Sequence, residues 1–155
     1  MVRLVIMLAL SAALLGACST YHDNSRELLQ TLPHHYSQFD LQLAWETRAA
    51  GGETLVDGVV KNVRWTYMYD LEIWVAALDA NGKAVARSVS YIIPRQLNQD
   101  ETAPFSLKLP IAAQPGTKLR FTYQYRGSDG GDERRLGDGG GTRWTQSFEA
   151  VVPAQ

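Results

Sequence analysis

Apolar residues recur at every second position in seven short runs, and that period leaves few folds open to this 155-residue chain. Phe39, Leu41, Leu43 and Trp45 alternate with Asp40, Gln42, Ala44 and Glu46. After Gly51-Gly52, a second run over Thr54–Asn62 puts Val56 and Val60 on one face and Asp57 and Lys61 on the other. A third, from Met68 to Ala80, aligns Leu71, Ile73, Val75 and Ala77. Asn81-Gly82 then separates it from Ala84–Ile93, which predicts a hairpin closed by a type I′ turn. Phe105–Leu109 alternates between Pro104 and Pro110; Lys118–Arg126 aligns Leu119, Phe121, Tyr123 and Tyr125; Arg143–Val151 aligns Trp144, Phe148 and Ala150. Seven short strands with turn residues between them, and no long helical period, predict an all-β fold. The expected architecture is a seven-stranded antiparallel immunoglobulin-like β-sandwich over residues 38–153.

The first residues follow a different rule. Arg3 precedes the apolar run Leu4–Leu15, which is too short to span a bilayer as a permanent helix and reads as a secretory leader. The chain's single cysteine follows directly in Leu15-Gly16-Ala17-Cys18, a segment that resembles the lipobox of bacterial lipoproteins. That resemblance implies cleavage after residue 17 and acylation, palmitate included, of Cys18. Such a lipid anchor holds a domain at a membrane of the cell envelope. Ser19 stands where the enterobacterial sorting pattern places Asp for retention at the inner membrane, which favours the periplasmic face of the outer membrane.

Residues 18–37 form a polar tether containing all three histidines, His22, His34 and His35. Asn24 or Ser25 can cap a short helix through Leu32, and Pro33 would stop it. Leu28, Leu29 and Leu32 could lean on the domain; a flexible spacer is the open alternative.

Within the sandwich, Val56-Asp57-Gly58-Val59-Val60-Lys61-Asn62, the run Leu71–Lys83 and Thr102–Pro110 together resemble the FxLYD-type domains of prokaryotic envelope proteins. In those immunoglobulin-like or fibronectin-like modules a "G-x-V-x-N" strand precedes a long strand ending in "D-x-x-G-K". The resemblance implies fold rather than activity, and Phe105–Leu109 lacks the Tyr-Asp ending of the name motif. Each matched residue has a physical task. Gly58 permits close backbone approach or a bulge, Asn62 can cap the turn after its strand, and Asp79 can close the Asn81-Gly82 turn.

Composition narrows the function. With 15 basic against 16 acidic residues there is no electrostatic footprint for nucleic acid. One cysteine excludes an intramolecular disulfide framework and a Cys-based zinc cluster. All three histidines lie in the tether and no Gly-x-Ser-x-Gly elbow occurs, so acyl-transfer chemistry has no base beside a nucleophile. His34-His35 with Asp40 or His22 is a metal set by composition only, and Asp70 with Glu72 is a carboxylate pair on one strand face. Two features stand above this background. The loop Gly127–Gly141 carries Asp129, Asp132, Glu133 and Asp138, oxygen ligands of the kind calcium prefers. The aromatic residues Trp65, Tyr67, Tyr69 and Trp74 cluster around the start of the third run, with Trp74 opposite in parity to Leu71, Ile73 and Val75. If that parity faces the core, Trp74 points outward, near Arg120 or Arg126; otherwise these rings plug or cover the sandwich. The sequence therefore points to a non-enzymatic, membrane-anchored module that binds an envelope protein, with the Trp65–Tyr69 and Gly127–Gly141 loops as the contact candidates, Trp74 as a further exposed ring, and no cofactor beyond the lipid. The alternative is a lipoprotein that binds glycan or peptidoglycan through Trp65, Tyr67 and Trp74, with or without calcium at the acidic loop.

Overall fold

A computed structural model describes residues 24–128 and 141–153. Cys18, His22 and the acidic set Asp129, Asp132, Glu133 and Asp138 lie outside the described residues. A short helix, α1, covers 24–31. Among the described residues nine strands follow: β1 (His34–Ser37), β2 (Leu41–Ala50), β3 (Glu53–Asn62), β4 (Tyr67–Leu78), β5 (Ala84–Tyr91), β6 (Gln96–Leu97), β7 (Thr102–Leu109), β8 (Lys118–Ser128) and β9 (Thr142–Val151). One sheet runs β1-β2-β3-β7; the other runs β5-β4-β8-β9, with β6 added against β4. Every pairing is antiparallel. The two sheets close on a single core, giving the immunoglobulin-like sandwich that the alternation predicts.

The core is built from the parities read in the sequence. Leu41, Leu43, Trp45, Val56 and Val60 face inward from the four-stranded sheet, and Leu71, Ile73, Val75, Phe121 and Tyr123 meet them from the other. The rings of Trp45 and Phe121 lie 4.7 Å apart, and Phe148 stacks on Phe121 at 5.0 Å. Gly58 is the close approach that the sequence suggested. Its partner across β3 and β7 is Phe105, and a Cβ at Gly58 would press on the Ala44 carbonyl oxygen and sit 2.6 Å from the Phe105 ring.

Several boundaries differ from expectation, each for a local reason. Phe39 does not continue the alternation of β2; it is 57% exposed in the β1–β2 turn. Its neighbour Asp40 is buried and draws the chain inward instead. β7 begins at Thr102, so Pro104 lies inside the strand. That is tolerated because β7 is an edge strand whose missing N–H removes no pairing on the open side. The Asn81-Gly82 connection is not a two-residue type I′ turn. Gly82 alone takes a left-handed φ of 78° there, its N–H donates to the Asp79 carbonyl, and the Asp79 carboxylate accepts from the N–H groups of Asn81 and Lys83, both at 2.9 Å. Asp79 thus closes the turn as anticipated, over a longer loop.

The segment before the sandwich is also more ordered than a tether. β1 pairs with β2, His34 opposite Trp45 and Ser37 opposite Gln42, so the sheet begins four residues before the expected boundary at 38. α1 lies on the outer face of the same sheet. Val59 and Ala44 have outward parity yet are fully buried, and Leu28 and Leu32 share a groove with Glu46, Asp57, Pro104 and Ser106 from that face. Eight residues of helix are marginal alone, so this packing is what holds α1. Asn24 and Ser25 both fall inside the described helix rather than ahead of it.

Candidate functional site

The long strand β4 contains the feature that shapes the outer surface. Met68 and Leu71 are both buried although three positions apart, which a regular strand forbids. The register explains it: Tyr69 pairs with Arg126 and Glu72 with Gln124, so β4 carries one residue more than β8 between those pairs. Asp70 sits in this bulge at a left-handed φ of 51°. A non-glycine residue there is strained, and its surroundings compensate. The Asp70 N–H donates to the Arg95 carbonyl at 2.7 Å, Arg95 Nε donates to Asp70 Oδ1 at 2.7 Å, and Arg126 bonds the other carboxylate oxygen. The Arg126 guanidinium, assisted by Arg95, holds the Asp70 carboxyl below its usual range.

The bulge opens a groove of about 550 Å³ on the outer face of the five-stranded sheet, lined by Asp70, Glu72, Tyr91, Ile93, Arg95, Gln124, Arg126 and Arg143 among others. Glu72 Oε2 accepts from Trp74 Nε1 at 2.9 Å and from Gln124 Nε2 at 2.6 Å, fixing the floor. The rim is apolar. Tyr91 is 65% and Ile93 78% exposed, and both also line the groove beside α1, so they form a ridge where the two sheets meet. Asp70, committed to two guanidiniums, is a fixed acceptor at neutral pH rather than a proton donor. The carboxylate pair Asp70 and Glu72 is therefore poorly suited to acid–base hydrolysis. Chemically, the groove offers an aromatic and aliphatic rim, guanidinium forks and an ordered polar floor.

The aromatic residues singled out in the sequence do not converge on one point. Tyr67 and Tyr69 stand together on the outer face of β4, edge to face at 6.2 Å. Trp74 is on that face too, half-buried, beyond the bulge and Glu72. Of the expected basic neighbours, Arg120 is bonded to Glu149 and Arg126 to Asp70. Trp65 is separate, 67% exposed in the loop between β3 and β4. His34 and His35 are adjacent on β1 and so point to opposite faces; His34 stacks on Trp45 at 5.5 Å.

Tyr91 and Ile93, which read as the tail of a strand, and Arg95, just past it, carried no sequence signal as site residues. The signal for the bulge itself was the broken period at Met68-Tyr69-Asp70-Leu71, where a bulge restores the core parity. Sequence reasoning also missed a buried cluster at the end of the sandwich. The Asp40 carboxylate accepts from the hydroxyls of Tyr123 at 2.9 Å and Tyr125 at 3.0 Å, tying the two sheets together. Arg64 donates to the Tyr125 hydroxyl at 3.3 Å and lies over the rings of Phe39 and Trp144. Asn62 closes the loop beside it: Oδ1 accepts from the Arg64 N–H, and Nδ2 donates to the carbonyls of Thr66 and Leu97.

No protein-family model matches this chain, and no curated protein matches it. Solved structures with a similar fold include the GAE domain of yeast GGA1, at 10% identity over 77% of this chain and 98% of that chain, with a TM-score of 0.48. The GAE domain of GGA2p from Saccharomyces cerevisiae is 9% identical over 79% of this chain and 100% of that chain, with a TM-score of 0.49. A DUF4426 family protein from Pseudomonas aeruginosa is 15% identical over 77% and 96% of the two chains, with a TM-score of 0.37. At such identities the likeness concerns the fold alone.

Proposed function

We propose that this protein is a lipid-anchored, non-enzymatic β-sandwich of the bacterial envelope that binds another protein through the groove at the Asp70 bulge. The observation that carries the reading is the exposed Tyr91 and Ile93 ridge beside Arg95 and Arg126. A tyrosine and an aliphatic side chain next to guanidinium forks, over a rigid sheet, is the composition that concentrates binding energy in protein interfaces. The exposed aliphatic Ile93 favours a protein over a glycan, whose recognition relies on ring faces and polar edges. Gln124 lines the groove, and Tyr69 and Trp74, the latter bonded to Glu72 on its floor, extend the contact surface of the sheet. The lipobox at Cys18 supports anchoring, and Ser19 supports the periplasmic face of the outer membrane.

The test is crosslinking in native membranes followed by purification of the wild type and of Tyr91→Ala and Ile93→Ala. One discrete envelope protein recovered with the wild type and lost with either variant is the expected result. Its retention in both variants, or enrichment of the protein on isolated peptidoglycan through Trp74, would reject the groove as a protein site.

A further inference from the structure

The end of the sandwich that carries Trp65 is also the end where the described chain begins, and the two facts fit one occupant. The described residues begin at 24 in α1, which only Leu32 and Pro33 separate from β1, the strand that runs to this end with Ser37 opposite Gln42; the charge of Arg26, near the first described residue, acts on the Asp100 carboxylate, which Lys61 binds at 2.7 Å. The Asp100 N–H donates to the Asn62 carbonyl at 2.8 Å, and Asn62 in turn holds the carbonyl of Thr66, the neighbour of Trp65. Arg26, Asp100, Asn62 and Trp65 therefore belong to one end. Five residues, 19–23, separate Cys18 from residue 24. Even fully extended, they keep the Cys18 sulfur within about 20 Å of residue 24. A lipid on Cys18 thus brings this end, and not the opposite one with Gly51, Gly82 and Gly116, against the bilayer.

The side chains there suit a lipid interface. Trp65 and Phe39 are 67% and 57% exposed, although indole and phenyl rings are normally withdrawn from water. The Arg64 guanidinium, 5.5 Å from the Phe39 ring centroid, adds positive charge behind them. An amphipathic aromatic beside cationic groups is the combination that settles at the boundary of headgroups and acyl chains. We infer that Trp65 and Phe39 insert into the bilayer interface next to the lipid anchor, so that the sandwich stands on this end with a fixed orientation. The Asp70 groove is then held just above the membrane surface, on the side wall of the domain, where a membrane-embedded or membrane-attached partner is reached without a long tether.

This inference rests on the lipid anchoring of Cys18, and its test separates the two. The full mature lipidated protein is reconstituted in phosphatidylethanolamine and phosphatidylglycerol vesicles with or without brominated acyl chains, and flotation and tryptophan emission are read together for the wild type, Trp65→Phe and Trp74→Phe. Flotation with quenching by brominated lipid that is retained in Trp74→Phe and lost in Trp65→Phe is the expected result. Flotation without Trp65-dependent quenching overturns the interfacial contact and leaves the anchor standing. Failure to float overturns both. Loss of a crosslinked envelope protein in Trp65→Ala, with no quenching, would assign this end to a protein instead.

Discussion

Asp40 shows how one residue can decide an end of the fold. Its carboxylate has no access to water and is satisfied by two tyrosine hydroxyls from the facing sheet. Hydrogen bonds to an ionised acceptor contribute about 1.5–3 kcal/mol each. Asp40→Ala is therefore expected to lower the unfolding free energy by about 3 kcal/mol or more in urea titration. The tyrosines add a pH dependence. Burial, reinforced by Asp40, raises the Tyr123 hydroxyl above its ordinary value, and burial pushes Tyr125 up to about 12, with Arg64 pulling against it. A group whose folded value is raised stabilises the fold fully below its unfolded value of about 10. That stability is lost as pH climbs from 10 towards 12, and Tyr125→Phe should flatten the loss in an alkaline titration of stability. At Gly58 the expectation is steric: Gly58→Ala should cost about 1–3 kcal/mol, because Phe105 and the Ala44 carbonyl occupy the place of the new methyl. Gly58, Asn62 and Asp79 were legible in the sequence because their tasks are local. Asp40 was not, since its partners lie more than eighty positions along the chain and a polar residue at a strand start looks solvated.

At the scale of elements, legibility followed length. The seven strands of eight residues or more carry enough alternation to be read, whereas β1 and β6 span four and two residues. β1, His-His-Tyr-Ser, shows no apolar period; its place comes from pairing with β2 and from Tyr36 stacking on Phe148 at 3.7 Å. α1 was visible as a short helix, but its docking was not, because Ala44 and Val59 look like ordinary outward residues until something covers them. The sequence left leaning and free spacer open for this segment, and the groove that Leu28 and Leu32 share with Glu46, Asp57, Pro104 and Ser106 decides for leaning. Leu28→Asp with Leu32→Asp should release α1 without unfolding the sandwich. Hydrogen exchange should then speed up at Val59 and Ala44, and stability should fall by about 2 kcal/mol, the order expected for uncovering one valine-sized side chain.

For the molecule as a whole, two sheets, one rigid core and a bulged outer face make a platform whose surface chemistry is set by β4. The bulge at Asp70 both preserves the core parity and turns guanidiniums, a tyrosine and an isoleucine toward one groove. The sandwich was readable from periodicity, but the groove was not, since Tyr91, Ile93 and Arg95 reach it only through the register shift between β4 and β8. Trp74 projects outward as its parity suggested, while Trp65 stands apart at the end where α1 begins. The most direct test of a protein-binding groove places a photoreactive amino acid at Tyr91, at Ile93 and, as a control on the opposite edge strand, at Val151, in cells carrying the full chain. A protein-binding groove gives one discrete adduct with an envelope protein from Tyr91 and Ile93 and none from Val151. Adducts of equal yield from all three positions, or none from the two groove positions, would contradict it.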